Sequence, residues 1–390
     1  MIIEKVEARK IKNSRDEDTI EVSVNNSEWA SSPSGKSVGK FETPQWMDSL
    51  EKNINFLNNW KGKVRLNYLD DLEMVEDAIK AKINERDVKK FGANALFAFE
   101  CAILKALAAE QGVKLWEVVN ADAKKLPYPV GNAVGGGMHS KQFKKHPDFQ
   151  EFLVIPMANK FSDNVEVMKE FYQRIGKELN AGEVNDEGAW QTSESEQEIL
   201  DRMNFVRSKM EKEYGIKISF GLDVAASTLF SGEDYFYENK GKINKNKQID
   251  YIIKLIKENN IFYVEDPMNQ EDFSGHYQIN NKVGAMIVGD DLTATQIKRL
   301  QKAIELHAIK GMIIKPNQNG SLLGLRQIFR ICKTQGIKTI MSHRSGETMD
   351  DALADLAFGF GADFIKCGIF GKEREAKLNR MEEIEKSLSL

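Results

Sequence analysis

The chain has 390 residues, with 55 Lys and Arg against 59 Asp and Glu, a formal net charge of −4, 41% hydrophobic residues and 29% charged ones. That length is too great for one ordinary small domain, and the composition is that of a folded, soluble protein, which excludes large-scale disorder. A charge balance this close to neutral offers no field for holding nucleic acid or an anionic membrane, so neither is an expected partner.

In chain order, residues 1–25 alternate in strand fashion (Ile2, Val6, Ala8, Ile11, then Thr19 to Val24) around the polar turn Asn13-Ser14-Arg15-Asp16-Glu17-Asp18, which predicts a hairpin. A loop of small residues follows, Ser31-Ser32-Pro33-Ser34-Gly35-Lys36-Ser37-Val38-Gly39-Lys40, and then helical segments to about Gly112. The apolar stretch Phe91 to Leu107 is interrupted by Glu100 and Lys105. It falls short of the roughly 20 apolar residues of a membrane span and reads as a buried helix. An α+β cap over residues 1–126 is expected, ending near Leu126-Pro127-Tyr128-Pro129. The N-terminus lacks the apolar core of a signal peptide, and Cys101, Cys332 and Cys367 are an odd, scattered trio. Both point to a reducing cytoplasm, without a disulfide framework or a zinc motif.

Beyond residue 200 short apolar runs each end in a charged or polar residue and alternate with amphipathic stretches of helix length. The runs are Ile216 to Asp223, Ile261 to Glu265, Met286 to Asp290, Gly311 to Lys315, Thr339 to His343 and Asp363 to Lys366, and their last residues are 42, 25, 25, 28 and 23 positions apart. A spacing near 25 suits one strand, one helix and two loops, since a βαβ unit takes about 30 residues. Residues 127–390 are therefore expected to form an eight-stranded α/β barrel of about 250 residues. Six strands are identified, the earlier two are not located, and the gap of 42 leaves room for an irregular crossing. If all strands run parallel, their terminal residues converge at the C-terminal mouth, where active sites of this architecture lie.

Asp223, Glu265 and Asp290 then offer three hard oxygen ligands from three strand ends, which suits Mg²⁺, and no Cys or His joins them. One acidic strand end alone is more often plain surface, but three in successive units are not. Lys315 and Lys366 flank that group. A lysine beside cations has its ammonium form disfavoured, so one can act as a base while the other holds a carboxylate; two snorkelling rim lysines are the bland alternative. Ser342-His343-Arg344-Ser345-Gly346-Glu347-Thr348 puts a guanidinium and a hydroxyl at a strand-to-helix turn, an arrangement fit for phosphate. Gln150-Glu151 and Asn185-Asp186-Glu187-Gly188 add carboxylates able to donate protons if burial raises their pKa, although taken alone they read first as a helix cap or a plain turn. His139, after Gly135-Gly136-Gly137-Met138, lies on a loop flexible enough for a lid, where a lone histidine is more often merely exposed.

Val-Gly-Asp-Asp-Leu-Thr (288–293), Gly-Leu-Asp-Val-Ala-Ala-Ser (221–227), Val-Glu-Asp-Pro (264–267) and Ser-His-Arg-Ser-Gly-Glu-Thr (342–348) resemble enolase motifs. So do Lys-Phe-Gly-Ala-Asn-Ala (90–95), Gln-Glu-Phe (150–152), Asp-Glu-Gly (186–188) and Glu-Arg-Glu-Ala-Lys-Leu-Asn (373–379), in order along nearly the whole chain. The resemblance implies a glycolytic and gluconeogenic lyase, phosphopyruvate hydratase, that interconverts 2-phosphoglycerate and phosphoenolpyruvate with two Mg²⁺ per site, the second arriving with substrate. It implies that Asp223, Glu265 and Asp290 hold the first Mg²⁺, that Lys315 removes the C2 proton, and that Glu187, paired with Glu151, protonates the departing hydroxyl. It further implies that Lys366 binds the substrate carboxylate and Arg344 and Ser345 the phosphate, while His343, Gln150 and His139 line the pocket. Ser37 would close over the substrate and help to bind the second Mg²⁺, and the assembly would be a dimer or an octamer of dimers.

Departures from the enolase pattern fall in the lids. Lys36 and Val38 stand where an alanine and a threonine are usual, Gly135-Gly136-Gly137-Met138-His139-Ser140 replaces Asn-Gly-Gly-Ser-His-Ala, Ala189-Trp190 replaces Gly-Phe, and the chain is shortened after Glu42. Two rival readings remain open at this point. One is a related barrel enzyme that takes a proton α to another carboxylate, against which the Arg344–Ser345 phosphate site speaks. The other is a non-catalytic binding protein of enolase descent, against which every retained acid, base and ligand speaks.

Overall fold

The computed structural model describes residues 1–36 and 39–388. The N-terminal alternation becomes the hairpin β1 (Val6–Lys12) and β2 (Asp18–Val24), and the short β3 (Ala30–Ser31) pairs with the free edge of β2. Ile20, Val22 and Val24 lie on its buried side, packed against the helix Ala93–Gln111. Alanines on several faces let that helix sit buried nearly all round. Its one fully buried acid, Glu100, accepts the Leu322 N–H at 2.6 Å.

The remainder closes into an eight-stranded barrel. Its strands are β4 (Tyr128–Gly135), β5 (Glu151–Pro156) and β6 (Ile218–Asp223), and, after a small antiparallel sheet β7 (Phe230–Ser231), β8 (Asp234–Tyr237), β9 (Gly241–Asn244), the run β10 (Tyr263–Glu265), β11 (Met286–Gly289), β12 (Gly311–Ile314), β13 (Lys338–Ser342) and β14 (Phe364–Lys366). The small sheet accounts for the gap of 42. Single helices such as Phe273–Asn280 and Ile297–Glu305 join most of the later strands.

The expectation that all strands run parallel is overturned: β5 is antiparallel to both β4 and β6. The cause lies in the connections. Residues 136–150 carry only the short 3₁₀ turn Gly137–Ser140, so the chain re-enters the barrel from the end at which it left. After β5 two helices in succession, Phe161–Glu178 and Glu196–Tyr214, return the chain to the bottom, where β6 starts upward. Glu151, the first residue of β5, therefore pairs with Asp223, the last residue of β6, at the same mouth. Below that mouth Val130, Leu153, Ile155, Tyr263, Val288, Ile313 and Ile340 form an apolar floor.

The cap is laid directly on the mouth. Ser34 and Gly346 exchange backbone bonds of 2.8 and 2.9 Å, and Asn317 Nδ2 donates to the Pro33 carbonyl at 3.0 Å. No helix among the described residues is long and apolar enough to cross a membrane.

The C-terminal helix Lys372–Ser387 closes the outer ring by capping another: Glu385 accepts from the N–H groups of Phe161 and Ser162 at 2.5 and 2.9 Å. Glu385→Ala should lower stability by about 1–2 kcal/mol, the size of a lost cap, read as a lower urea midpoint with an unchanged slope.

Candidate active site

A cavity of about 190 Å³ opens at the C-terminal mouth under the loop that carries Gly35 and Lys36. His139, Gln150, Glu151, Glu187, Asp223, Asp290, Lys315, His343, Arg344, Ser345 and Lys366 all line it. Glu265 lies beneath the wall, buried to 1% exposure. Ser37 falls outside the described residues.

Lys366, at the end of β14, sits at the centre of the acids. Its Nζ is 2.5 Å from Glu151 Oε2, 3.0 Å from Glu265 Oε2 and 3.6 Å from Asp223 Oδ2. Burial alone would strip its proton, but these three carboxylates hold its pKa well above the ordinary value. One ammonium cannot neutralise all three. Burial pushes the Asp223 carboxyl up to about 7 and that of Glu265 to about 8, Lys366 opposing in each case and the neighbouring acids reinforcing. Glu265 also accepts from the Tyr263 hydroxyl at 2.5 Å.

Lys315, one residue beyond β12, reaches Asp290 Oδ2 at 2.5 Å. Burial lowers its pKa and Arg344 does the same, yet the charge and hydrogen bond of Asp290 together with the Glu265 charge outweigh them and the net direction is upward, so the ammonium is favoured. This differs from the expected depression: the neighbour that decides is an anion, not a cation. The other oxygen of Asp290, Oδ1, is buried and has no hydrogen-bond donor among the described residues. Asp290 also belongs to the one group of acids among the described residues whose carboxylate oxygens all lie within 4.8 Å of one another, with Asp266 and Asp291. Asp266, however, accepts the backbone N–H groups of Asp290 and Asp291 at 3.1 and 2.6 Å, which makes it the brace of the turn after β11. An orphaned buried carboxylate oxygen within an all-oxygen set that is short of positive charge fits a hard divalent cation.

Across the cavity Glu151 and Glu187 form a second acidic pair. Burial, opposed by Lys366 and reinforced by Glu187, raises Glu151 to about 8. Burial works against the Glu187 charge as well, but His139 holds Glu187 well below the carboxylate range. Of the two, Glu151 is therefore the one that favours the proton, so the condition set by the sequence, a pKa raised by burial, is met at Glu151 and not at Glu187. His139 is not an exposed loop residue: it is 8% exposed, with Nδ1 3.0 Å from Asp186 Oδ1 and Nε2 3.6 Å from Glu187 Oε1. Burial lowers its pKa, Glu187 and Asp186 raise it, and the balance is about 9. Gly188, at φ +80°, makes the turn that aims Glu187; a Cβ there would come within 2.6 Å of the Phe370 carbonyl oxygen.

Arg344 Nη1 is 3.0 Å from Glu42 Oε2 and from Asn317 Oδ1, and Nη2 is 3.2 Å from Glu42 Oε1. Ser345 Oγ accepts from Arg15 at 3.2 Å. The expected strand-to-helix turn is instead a long loop, since the next helix starts only at Ala352. Glu347 braces this loop by accepting the Arg344 and Thr348 N–H groups, and buried Lys377 pairs with it at 2.8 Å. His343 is buried, and burial with Arg374 nearby keeps its ring neutral, well below the usual value. Gln150 Nε2 donates to Asp223 at 3.1 Å.

Residues 3–119 match the family model described as "Enolase, N-terminal domain", and residues 123–390 match "Enolase, C-terminal TIM barrel domain". The chain belongs to the enolase family. It is similar to proteins named enolase from Archaeoglobus fulgidus (35% identity, 99% of this chain and 97% of that one) and Picrophilus torridus (35%, 97% of each). A third, from Pyrobaculum aerophilum, is 39% identical over 75% of this chain and 72% of its own.

Several groups that brace the residues lining this enolase-family cavity are not apparent from sequence. Glu42 and Asn317 orient Arg344, Arg15 meets Ser345, and Asn132 Nδ2 donates to Glu151 at 3.1 Å. Asp186 reads in the sequence only as a turn carboxylate. Asn317 carried a weak signal, lying two residues beyond a strand-end lysine, while Glu42 and Arg15 come from the cap and carried none.

The His139 pKa has a definite sign. Because it is raised above the unfolded value of about 6.5, the stabilisation from protonated His139 is complete below that pH and is lost as pH rises through about 9. An NMR titration should place the imidazole midpoint near 9, and Glu187→Gln should bring it down toward 6.5; a midpoint unmoved by that change would remove Glu187 as the cause.

Proposed function

We propose that the chain is an enolase, the lyase that reversibly dehydrates 2-phosphoglycerate to phosphoenolpyruvate in glycolysis and gluconeogenesis. The observation that carries this reading is the opposition, across one cavity, of Lys315 on one side and the Glu151–Glu187 pair on the other, with Lys366 between them. An elimination needs a base at one carbon and an acid at its neighbour. Family membership and relatives named enolase support the same activity.

Lys315 removes the C2 proton. Asp290 now holds the proton on Lys315, so the lysine is ready as a base only when Asp290 is engaged elsewhere. Asp223, Glu265 and Asp290 would hold one Mg²⁺, and Ser37 would help with a second that enters with the substrate. Bound Mg²⁺ supplies positive charge against the negative charge that gathers on the substrate carboxylate as C2 is deprotonated.

Lys366 draws in the substrate carboxylate. Arg344 and Ser345 take the phosphate, with Glu42 and Asn317 fixing the guanidinium plane. The Glu151–Glu187 pair delivers its shared proton to the leaving C3 hydroxyl through Glu187, and His139 keeps Glu187 charged until then. His343 and Gln150 complete the wall, and the lids exclude water. The cap over residues 1–126, the barrel over residues 127–390, assembly into dimers or octamers and a cytoplasmic setting belong to the same reading.

The direct test is absorbance in the phosphoenolpyruvate band after 2-phosphoglycerate is added with Mg²⁺, then with a chelator. A Mg²⁺-dependent rise is expected; no rise from folded protein in the presence of Mg²⁺ would contradict the reading. Lys315→Ala should lower kcat by between about 10²- and 10⁴-fold while circular dichroism stays unchanged, and near-normal turnover would exclude it as the base.

A further inference from the structure

Three segments meet over the cavity: Gly35–Lys36 of the cap loop, the turn Gly137–Ser140, and the turn that carries Asp186 and Glu187. Lys36 joins them. Its Nζ lies 3.2 Å from the Met138 carbonyl oxygen and 3.2 Å from Asp186 Oδ2. The other Asp186 oxygen faces His139 Nδ1 at 3.0 Å, and His139 Nε2 faces Glu187 Oε1 at 3.6 Å. One ammonium therefore ends a chain of contacts that runs through both turns to the acidic pair. Arg15 reaches the same Asp186 oxygen only at 3.9 Å, so Lys36 is the nearer of the two cap cations. With 34% of its side chain exposed, Lys36 is reachable by solvent while its partners beneath are not fully so.

We infer that Lys36 is a positioning residue, a strap that draws the two turns and the cap loop together before substrate arrives and sets His139 against Glu187. An ammonium suits this task because it is a compact charge with several donors, able to serve a carbonyl on one segment and a carboxylate on another. Holding the lids partly closed lowers the ordering needed when substrate binds, so the strap acts on KM before kcat. The inference rests on the reading of this cavity as the enolase site, but the strap itself is a property of the ligand-free protein.

The test uses the full chain with Lys36→Met, which keeps the stem and removes the donors, and Lys36→Arg, which restores charge and donors. Without substrate, amide exchange at residues 136–140 and 185–188 should quicken about threefold to fivefold in Lys36→Met, the range of a partly exposed ion pair, and return in Lys36→Arg. KM for 2-phosphoglycerate should rise by a similar factor with kcat unchanged or higher. Adding Lys36→Met to Asp186→Asn should quicken exchange at residues 185–188 no further, because both weaken the one contact by which Lys36 holds that turn. Unchanged exchange and KM in Lys36→Met would overturn the strap, as would additive effects at residues 185–188 in the double variant or a fall in kcat at constant KM. If the unmodified protein proved inactive while the exchange difference persisted, the strap would stand and the enolase reading would fall.

Discussion

The constraint on which the site depends is the quantity of negative charge buried at one end of the barrel. Glu151, Glu187, Asp223 and Asp290 line one small cavity with Glu265 buried beneath it, and the cations closest to these five acids are Lys315, Lys366 and His139, with Arg344 and Lys36 farther along the same wall. Charges taken out of water at this density are tolerable only when paired, protonated or bound to a cation. The structure uses the first two devices openly. Lys366 is shared among three acids, Lys315 is committed to Asp290, and burial pushes the Glu151, Asp223 and Glu265 carboxyls up toward neutral pH or above it, where they can keep protons. The third device is the one for which Asp290 Oδ1 is left open.

The topology exists to bring those acids together. Six parallel strand ends deliver Asp223, Glu265, Asp290, Lys315, His343 and Lys366, either as the last strand residue or as the one after it. The reversed β5 then supplies Glu151 from its beginning, opposite Asp223. The His139 turn comes from a connection that stays at the mouth, and the Glu187 turn comes from the point between the helices Phe161–Glu178 and Glu196–Tyr214 where the β5–β6 connection reaches the mouth. Above them the cap contributes Glu42, Arg15 and Lys36, and the Ser34–Gly346 bridge fixes its approach. Strands thus carry most of the acids and bases, and irregular connections carry the groups that lie over them.

Legibility followed from whether a residue obeyed the strand rhythm. Asp223 through Lys366 were readable because each ends an apolar run and a regular spacing repeats them. β4 was not, because Tyr-Pro-Val-Gly-Asn-Ala-Val-Gly ends in glycine and offers no charged marker. β5 was missed because it runs backwards, with its acid first. The roles of Glu187 and His139 came from family resemblance, since a turn acid and a loop histidine look ordinary until burial is known. Long-range pairings such as Glu42 with Arg344, 302 residues apart, leave no local pattern at all. The pKa directions of Lys315 and Glu187 also lay beyond sequence, because they are set by burial against a handful of charges brought close only by the fold.

The central claim, that the buried acids share protons in the ligand-free protein because they await a divalent cation, is tested most directly by Mg²⁺ calorimetry. Titrations at pH 7 in two buffers of different ionisation enthalpy report the protons exchanged on binding. With Asp223 near 7 and Glu265 near 8, the account predicts Mg²⁺ binding with release of on the order of one proton, because the cation takes the charged carboxylates. Binding with no proton release, or no binding to the folded protein, would contradict it.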